Sequence, residues 1–274
     1  MASWGFPKEK FTFVDSNRFK NGLFFCDVLC IGTDELFALN KESQIVVTST
    51  MHYEIIPFLA RNGMTNVMYE HDLLFDRTDD ARFSPTFRDI MSIVGTDMNI
   101  SIQESWNLHK GVQETIEIPG CIAEVGVYKG GSAMILSQDL ERHLHLFDTF
   151  EGLPQSKIVE QDLVKADWLS DVGDAALLRT LENMKHVNVH KGVFPETAAH
   201  LSCEQFSLIH LDADIYQTTL DGLKYFWPRL SPGGQIIIHD FNNQGCPGVK
   251  RATLEFSVTP MIEYAETQVM LSKR

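Results

Sequence analysis

The 274-residue chain lacks the features that mark membrane proteins, secreted proteins and nucleic-acid binders. No stretch of about 18 apolar residues is free of charge, so no transmembrane helix is expected, and the N-terminus has no apolar signal core. Lys and Arg number 23 against 37 Asp and Glu, a net charge of −14, and the basic residues form no cluster. That balance disfavours nucleic acid and anionic membranes as partners.

Cysteine is sparse as well, and the five cysteines are odd in number and scattered along the chain. Such a set does not suggest a disulfide framework. Two of them are four positions apart, but no second pair completes a zinc site. We therefore expect free thiols in a reducing compartment, and hence a cytoplasmic location. The cysteines are Cys26, Cys30, Cys121, Cys203 and Cys246.

The content of 44% hydrophobic and 22% charged residues describes a soluble globular protein. We expect a small α/β segment over residues 1–75, with strands at 44–49 and 66–69 and a helix at 53–61 between them. A polar linker at residues 76–80 then begins a larger domain over residues 76–274. The first segment resembles the second half of the NAD-fold-like domain found in front of some sugar-modifying enzymes. Its pattern shows no opening strand with a glycine turn. A scaffold or dimerisation role is therefore predicted, hence a homodimer, with residual sugar binding as the alternative.

In the larger domain, apolar runs that read as strands alternate with helical patterns at residues 175–184 and 220–230. This alternation predicts an α/β fold with a doubly wound, mostly parallel, Rossmann-like sheet. A final strand at 267–271 is expected at the sheet edge, antiparallel if the topology is that of a methyltransferase. The other predicted strands are residues 121–125, 144–148, 187–190, 206–212 and 235–240.

A glycine-containing turn follows the first of these strands, over residues 126–132. If Gly126 and Gly131 are aligned with the first and third glycines of a dinucleotide fingerprint, Tyr128 occupies the place of the second. That second glycine lets backbone approach a pyrophosphate, so the turn favours a phosphate-free adenosine such as S-adenosylmethionine. Asp148 closes the next strand and is predicted to bind the ribose hydroxyls, or alternatively to cap the next helix. Residues 155–174 are polar enough to form a lid.

Acidic residues are concentrated at the ends of the fourth and fifth strands. Asp212 and Asp214 lie two positions apart, so in an extended chain their side chains point the same way. Two such charges repel unless a cation or a proton lies between them. His239 and Asp240 end the neighbouring strand, so Asp212, His239 and Asp240 form a candidate divalent-metal site. Asp214 is then the candidate base; a metal-free site with His239 bonded to Asp214 is the alternative.

These motifs together resemble the macrocin O-methyltransferase family of class I, S-adenosylmethionine-dependent enzymes. The matching segments lie in the same order over about residues 100–271, and the resemblance is highly specific. The family methylates hydroxyl groups of sugars attached to antibiotics or built into surface polysaccharides, usually with magnesium. The matching segments are residues 124–132, 146–154, 192–197, 210–216, 228–234 and 246–252.

The resemblance implies roles for individual residues. Asp212 and Asp240 become metal ligands and Asp214 the catalytic base. The family commonly has a second aspartate where this chain has His239, and imidazole suits manganese or iron better than magnesium. His239 is thus both a candidate ligand and a candidate catalytic residue. The implied cofactor contacts are Glu124, Gly126, Tyr128, Gly130, Ser132, Asp148, Thr149, Phe150, Gly192, Val193, Phe194 and Asp212.

The predicted function is methyl transfer from S-adenosylmethionine to a hydroxyl of a sugar or a glycosylated small molecule, assisted by magnesium or manganese. A nicotinamide-dependent oxidoreductase would need a complete glycine fingerprint, which neither half of the chain offers. A non-catalytic sugar-binding or assembly protein with the same fold is the remaining alternative, although it has no need of paired aspartates.

Overall fold

A computed structural model of the chain divides into two compact units, Met1–Arg77 and Thr78–Arg274. The sequence pattern puts the division two residues earlier. Among the described residues, no helix is long and apolar enough to cross a bilayer. The structure describes residues 12–14, 24–25, 28–38, 43, 45–47, 52–69, 83–94, 98–160, 162–172, 176–201, 205–256, 261–264 and 267–273.

The first unit contains two small sheets. Strand β3 pairs in parallel with β1 and antiparallel with β2, and β4 pairs in parallel with β5. The predicted strands at 44–49 and 66–69 and the helix between them are confirmed. The elements are β1 (Phe13–Val14), β2 (Phe24–Phe25), β3 (Val28–Ile31), α1 (Thr33–Ala38), β4 (Ile45–Val47), α2 (His52–Arg61) and β5 (Val67–Tyr69).

One interpretation of this unit is wrong. The sequence pattern was taken to lack a strand followed by a glycine turn, yet β3 leads through Gly32 directly into α1. Gly32 donates its N–H to Glu35 Oε2 at 2.8 Å, which fixes the start of the helix. The four apolar residues of β3 are too few for periodicity to reveal a strand. A single glycine is still not a dinucleotide fingerprint.

The second unit is built on a seven-stranded sheet of order β11-β12-β10-β9-β6-β7-β8. The strands are β6 (Cys121–Val125), β7 (Leu144–Asp148), β8 (Val187–Lys191), β9 (Phe206–Leu211), β10 (Leu230–Ile238), β11 (Ile262–Glu263) and β12 (Val269–Ser272). The helices are α3 (Pro85–Val94), α4 (Ile102–Glu114), α5 (Gly131–Leu136), α6 (Ala176–Glu182), α7 (Tyr216–Phe226) and α8 (Pro247–Phe256). Short 3-10 turns cover Gln155–Lys157, Glu196–Leu201 and Trp227–Arg229.

Five of these strands, β6 to β10, run parallel, which confirms the predicted fold class. All six residues of β9 are buried, as expected for a strand covered on both faces. The strand order reverses between β6 and β9, because the chain leaves β6 towards β7 and returns on the other side. In open α/β sheets, such a switch point forms a crevice at the carboxyl ends of the strands.

The predicted C-terminal edge strand needs a correction. Strand β12 is antiparallel to β10, as expected from methyltransferase topology, but it is not at the edge. Strand β11 pairs with its outer side in antiparallel register, Ile262 opposite Met270. A two-residue strand is too short to be read from a sequence pattern.

The cysteines that the structure describes, Cys30, Cys121 and Cys246, form no disulfide bond. Cys26 and Cys203 lie outside the described residues, as does the predicted polar linker at Asp76–Asp80.

Candidate active site

The carboxyl ends of four neighbouring strands are joined by backbone hydrogen bonds. The N–H of Asp212 donates to Val125 O at 2.9 Å, and that of His239 to Leu211 O at 3.0 Å. On the other side, the N–H of Gly126 donates to Phe147 O at 3.0 Å. The glycine turn and the acidic strand ends therefore belong to one continuous platform.

Gly126 is the tightest point of this platform. Its φ is +87°, and a Cβ built there would lie 1.7 Å from the carbonyl oxygen of Asp212. No side chain fits, so the turn passes directly over the backbone that presents Asp212. The turn continues through Tyr128, also at positive φ (51°), to Gly130, which precedes α5 at φ 93°. Ser132 is buried in the first turn of that helix.

Asp148 braces the turn from the end of β7. Its Oδ2 accepts the N–H groups of Val127 and Tyr128 at 2.7 and 2.9 Å, and its Oδ1 accepts that of Phe150 at 2.7 Å. A carboxylate has about four acceptor positions, and the fourth contact is a long one, from Thr149 Oγ1 to Asp148 Oδ1 at 3.5 Å. Thr149 closes the adjacent turn by donating to Gly152 O at 2.5 Å. The ribose contact of Asp148 stays a prediction.

Glu124 lies beneath the turn and is fully buried. Its Oε1 is 2.7 Å from Nδ1 of His210, which is also fully buried and lies opposite it on β9. Burial raises the pKa of Glu124, and the nearby His210 offsets only part of that rise. The pair links the two central strands under the site, and the cofactor contact of Glu124 stays a prediction.

The segment after β7 is tied to the platform at two points. Asp171 accepts a hydrogen bond from Tyr128 Oη at 2.7 Å and one from Lys129 Nζ at 3.0 Å. Asp162 accepts the N–H of Tyr216, at the start of α7, at 2.8 Å. These contacts place the described parts of the predicted lid, residues 155–160 and 162–172, against the glycine turn and the loop after β9.

The predicted contacts at residues 192–194 lie beside the same edge. Gly192 donates its N–H to Asp148 O at 2.8 Å and has φ +136°. The Phe194 ring stacks on Phe226 inside the core, with centroids 5.4 Å apart. Only the backbone of Phe194 is left for a cofactor contact. Val193, between them, is partly exposed.

The acidic cluster forms at the ends of β9 and β10. His239 Nδ1 is 3.0 Å from Asp212 Oδ1 and 3.2 Å from Asp240 Oδ2. His239 and Asp240 are buried, and Asp212 is partly exposed. Burial lowers the pKa of His239, but the charges of Asp212 and Asp240 outweigh it and raise that pKa well above its usual value. Burial raises the pKa of Asp240, but His239 and Asn243 bring it well below its usual range.

Asp214 lies on the other side of Asp240. Oxygens of the two carboxylates and the Cys246 sulfur lie within 4.8 Å of one another. Burial, and then the charges of Asp240 and Asp212, raise the pKa of Asp214 well above its usual value. Burial and the same carboxylates also raise the pKa of the Cys246 thiol, which donates to Asp214 Oδ1 at 3.8 Å. The Cys246 thiol is therefore disfavoured as a thiolate in this arrangement.

Two expectations about this cluster are corrected. Strand β9 ends at Leu211 and Asp214 has φ +59°, so Asp212 and Asp214 are not on an extended strand. Both side chains lie close to Asp240 because the chain turns after β9. His239 reaches Asp212 and Asp240, not Asp214, at ion-pair distance, so the metal-free pairing of His239 with Asp214 is not found among the described contacts.

Glu104, on α4, is a site residue that sequence reasoning missed. Its Oε2 lies 3.3 Å from His239 Nε2, and its Oε1 accepts hydrogen bonds from Thr267 at 2.6 and 3.1 Å. Burial opposes ionisation, but His239, Thr267 and Ser101 together lower the pKa of Glu104 to about 2. The one readable signal was its capping box, Ser101-Ile-Gln-Glu104, which places Glu104 at the N-terminus of α4.

The residues of this cluster fit a divalent cation. Ligand atoms of Asp212, His239 and Asp240 lie within 4.8 Å of one another. The buried Nδ1 of His239 makes no aligned hydrogen bond despite its two carboxylate neighbours. A ring nitrogen that makes no hydrogen bond and lies among carboxylate oxygens is suited to coordinate a metal ion. A ligand set of nitrogen and oxygen atoms suits manganese.

Much of the chain is similar in sequence to known proteins. The family model described as Macrocin-O-methyltransferase (TylF) matches residues 100–265, more than half of the chain. The 8-demethyl-8-(2,3-dimethoxy-alpha-L-rhamnosyl)-tetracenomycin-C 4'-O-methyltransferase of Streptomyces olivaceus is 26% identical over 211 residues, which are 69% of this chain and 80% of that protein. The demethyldecarbamoylnovobiocin O-methyltransferase of Streptomyces niveus is 25% identical, over 57% of this chain and 66% of its own.

Solved structures share the fold. The O-methyltransferase NovP superposes with a TM-score of 0.56 at 22% identity, covering 64% of this chain and 81% of its own. The calicheamicin methyltransferase CalS11 gives a TM-score of 0.55 at 16% identity, over 83% of this chain and 95% of its own.

Proposed function

Because the chain belongs to the macrocin O-methyltransferase family, we propose that it transfers a methyl group from S-adenosylmethionine to a hydroxyl group of a sugar or a glycosylated small molecule. The observation that carries the proposal is the contact between two loops. The Gly126 turn lies against the backbone of Asp212, so a cofactor bound on the turn has its reactive end beside the acidic cluster. The Streptomyces olivaceus relative is named for O-methylation of a rhamnosyl-tetracenomycin, and the Streptomyces niveus relative for O-methylation of demethyldecarbamoylnovobiocin.

The proposed roles of the cluster follow from its chemistry. Methyl transfer needs the acceptor oxygen, methyl carbon and sulfur in line, and the oxygen must lose its proton. Asp214 is the base: a cation held by the neighbouring Asp212 and Asp240 would offset the charges that raise its pKa and keep it ionised before the transfer. Asp212, His239 and Asp240 are the ligands of a divalent cation, which when bound lowers the pKa of a coordinated hydroxyl.

The first test combines binding and turnover. Calorimetry with S-adenosylmethionine measures cofactor binding, and release of S-adenosylhomocysteine is followed with a panel of deoxysugar glycosides and nucleotide sugars. We expect binding together with turnover on at least one hydroxyl acceptor. Cofactor binding with no transfer across the panel would favour the alternative of a non-catalytic sugar-binding or assembly protein.

We expect chelation to lower the activity. Removing divalent metals with EDTA should reduce turnover, and manganese should restore it at least as well as magnesium, because the set includes an imidazole nitrogen. The measurement is turnover before and after chelation and with each metal added back. Full activity in EDTA would show that the cluster works without a cation.

We propose that Glu104 orients His239. His239 Nε2 lies 3.3 Å from Glu104 Oε2, although without an aligned hydrogen bond. When Nδ1 holds a cation, the ring proton would be on Nε2, and the Glu104 carboxylate beside it would favour that tautomer. The family commonly has an aspartate at the position of His239. Glu104 supplies a negative charge beside the imidazole that replaces it.

The change Glu104→Gln tests this orientation. Gln keeps the capping box at the start of α4 but removes the charge, so we expect manganese affinity to fall about 10- to 100-fold. Cofactor affinity should not change. Calorimetry with Mn²⁺ measures the effect, with Glu141→Gln on an exposed carboxylate as the matched control. Equal Mn²⁺ affinity in both variants would contradict the role of Glu104.

We further propose that residues 1–75 act as a scaffold or dimerisation module. Light scattering on the eluting full-length chain measures its solution mass. A monomer at micromolar concentration would count against a dimer.

A further inference from the structure

A groove of about 750 Å³ opens beside the acidic cluster. Phe241, the residue after Asp240, begins its wall, and the wall continues through Asn243. Asn243 Nδ2 donates to Asp240 Oδ1 at 2.7 Å, so the groove wall contacts the cluster through this hydrogen bond. A molecule in the groove therefore lies next to the place where the hydroxyl must be deprotonated.

The polar lining of the groove suits a sugar. Asn242, Asn243 and Gln244 place side-chain amides on the wall, which both donate and accept hydrogen bonds, as hydroxyl groups require. Asn243 already bonds to Asp240 and to the N–H of Gly245. Asn242 Oδ1 accepts from Lys250, so the Asn242 Nδ2 group and the Gln244 amide are the donors and acceptors that a sugar would meet. Pro247 and Leu254 add apolar surface. The volume is typical of a small-molecule site and has room for a sugar together with an attached group.

Two cations line the groove on the first turns of α8. Lys250 Nζ donates to Asn242 Oδ1 at 3.0 Å and lies 4.9 Å from the centre of the Phe241 ring. The Arg251 guanidinium lies 5.6 Å from the Tyr216 ring. Both cations line the groove, in a chain whose net charge is −14.

One acidic side chain, Glu255, also lines the groove. Its Oε2 accepts a hydrogen bond from Tyr216 Oη at 2.7 Å, so a partner already occupies that oxygen. Lys250 and Arg251 against Glu255 leave one net positive charge, next to the N-terminal half of α8, where the helix dipole favours anions.

We propose, on the basis of the function proposed above, that this groove binds the acceptor and that Lys250 and Arg251 bind a phosphate group carried by its sugar. Two separate cations with several N–H donors match the oxygens of a phosphate or diphosphate better than a single carboxylate. A sugar phosphate and a nucleoside-diphosphate sugar share this chemistry. The acceptor is then methylated before its phosphate leaves, and a glycosyl-transfer reaction consumes the product.

Binding of defined probes tests this assignment. The full chain is saturated with S-adenosylhomocysteine, and calorimetry measures its affinity for UDP-glucose, glucose 1-phosphate, methyl glucoside and methyl glucuronide. We expect the phosphorylated probes to bind at least about tenfold more tightly than the other two, since hydrogen bonds to charged groups are the stronger ones. The ratio between the two phosphorylated probes separates a sugar phosphate from a nucleotide sugar.

Variants assign the effect to the two cations. The double change Lys250→Gln and Arg251→Gln should remove the preference for phosphate, whereas Lys224→Gln, on an exposed lysine of α7, should leave it intact. Neutral or carboxylate probes that bind as tightly as the phosphates would overturn the proposal. The proposal would also be overturned if the phosphorylated probes bound neither the wild-type chain nor the double variant, or bound the two with equal affinity. S-adenosylhomocysteine binding is measured first, and its absence would count against the methyltransferase proposal itself.

Discussion

Asp214→Asn is expected to lower the turnover number about 10²- to 10⁴-fold, the usual contribution of a general base. Asn has the same shape but takes up no proton at neutral pH. The affinity for S-adenosylmethionine should be unchanged, because the Gly126 turn and Asp148 are not altered. The free energy of unfolding should not fall, because Asn removes a buried carboxylate. Burial and the charges of Asp212 and Asp240 disfavour the ionised form of that carboxylate.

The measurement is turnover on the best acceptor of the wild-type chain, together with calorimetry for the cofactor. Asp89→Asn is the matched control, because it makes the same change on an exposed residue of α3. Wild-type turnover in Asp214→Asn would remove this residue from the mechanism. Loss of cofactor binding would instead indicate a structural role.

Gly126→Ala is expected to have the largest effect on both stability and binding. The added Cβ would lie 1.7 Å from the Asp212 carbonyl oxygen, and φ is +87°. Overpacking costs about 1–3 kcal/mol and backbone strain about 1–3 kcal/mol, so we expect a loss of about 3 kcal/mol or more. Because the turn must move away from Asp212, cofactor affinity should fall at least about 100-fold, the equivalent of about 2.7 kcal/mol.

Gly233→Ala is the control for the backbone conformation. Its φ of +82° is similar, but the nearest atom to the added Cβ is the Ile118 side-chain methyl at 3.1 Å, which has freedom to move. Thermal unfolding and calorimetry compare the two variants. A Gly126→Ala protein that binds the cofactor as well as Gly233→Ala would show that the turn does not depend on the close approach to Asp212.

The sequence allowed the central part of the fold to be predicted, because its signals are local. The strands from β6 to β10 each contain two or more apolar residues within a short stretch, and Gly126 and Asp148 occupy defined places at strand ends. The grouping of Asp212 with Asp240 also followed, since the carboxyl ends of neighbouring parallel strands meet at one edge.

Other features depend on contacts between distant residues. Glu104 and His239 are 135 positions apart, and nothing in the pattern of α4 pairs them. The positive φ of Asp214 depends on the turn after β9, which no periodicity reveals. The bonds from Asp148 to Val127 and Tyr128 likewise appear only once two strands lie side by side.

The pairing of β6 with β9 has a consequence for how the protein is made. Glu124 and His210 are 86 positions apart, so at about 5–20 residues per second the ribosome needs roughly 4–17 s to supply the second after the first. During that interval the apolar β6 has one edge without its partner, and parallel pairings over such separations form slowly. Chains halted before β9 should therefore aggregate, and yield in a host should depend on chaperones that shield nascent strands.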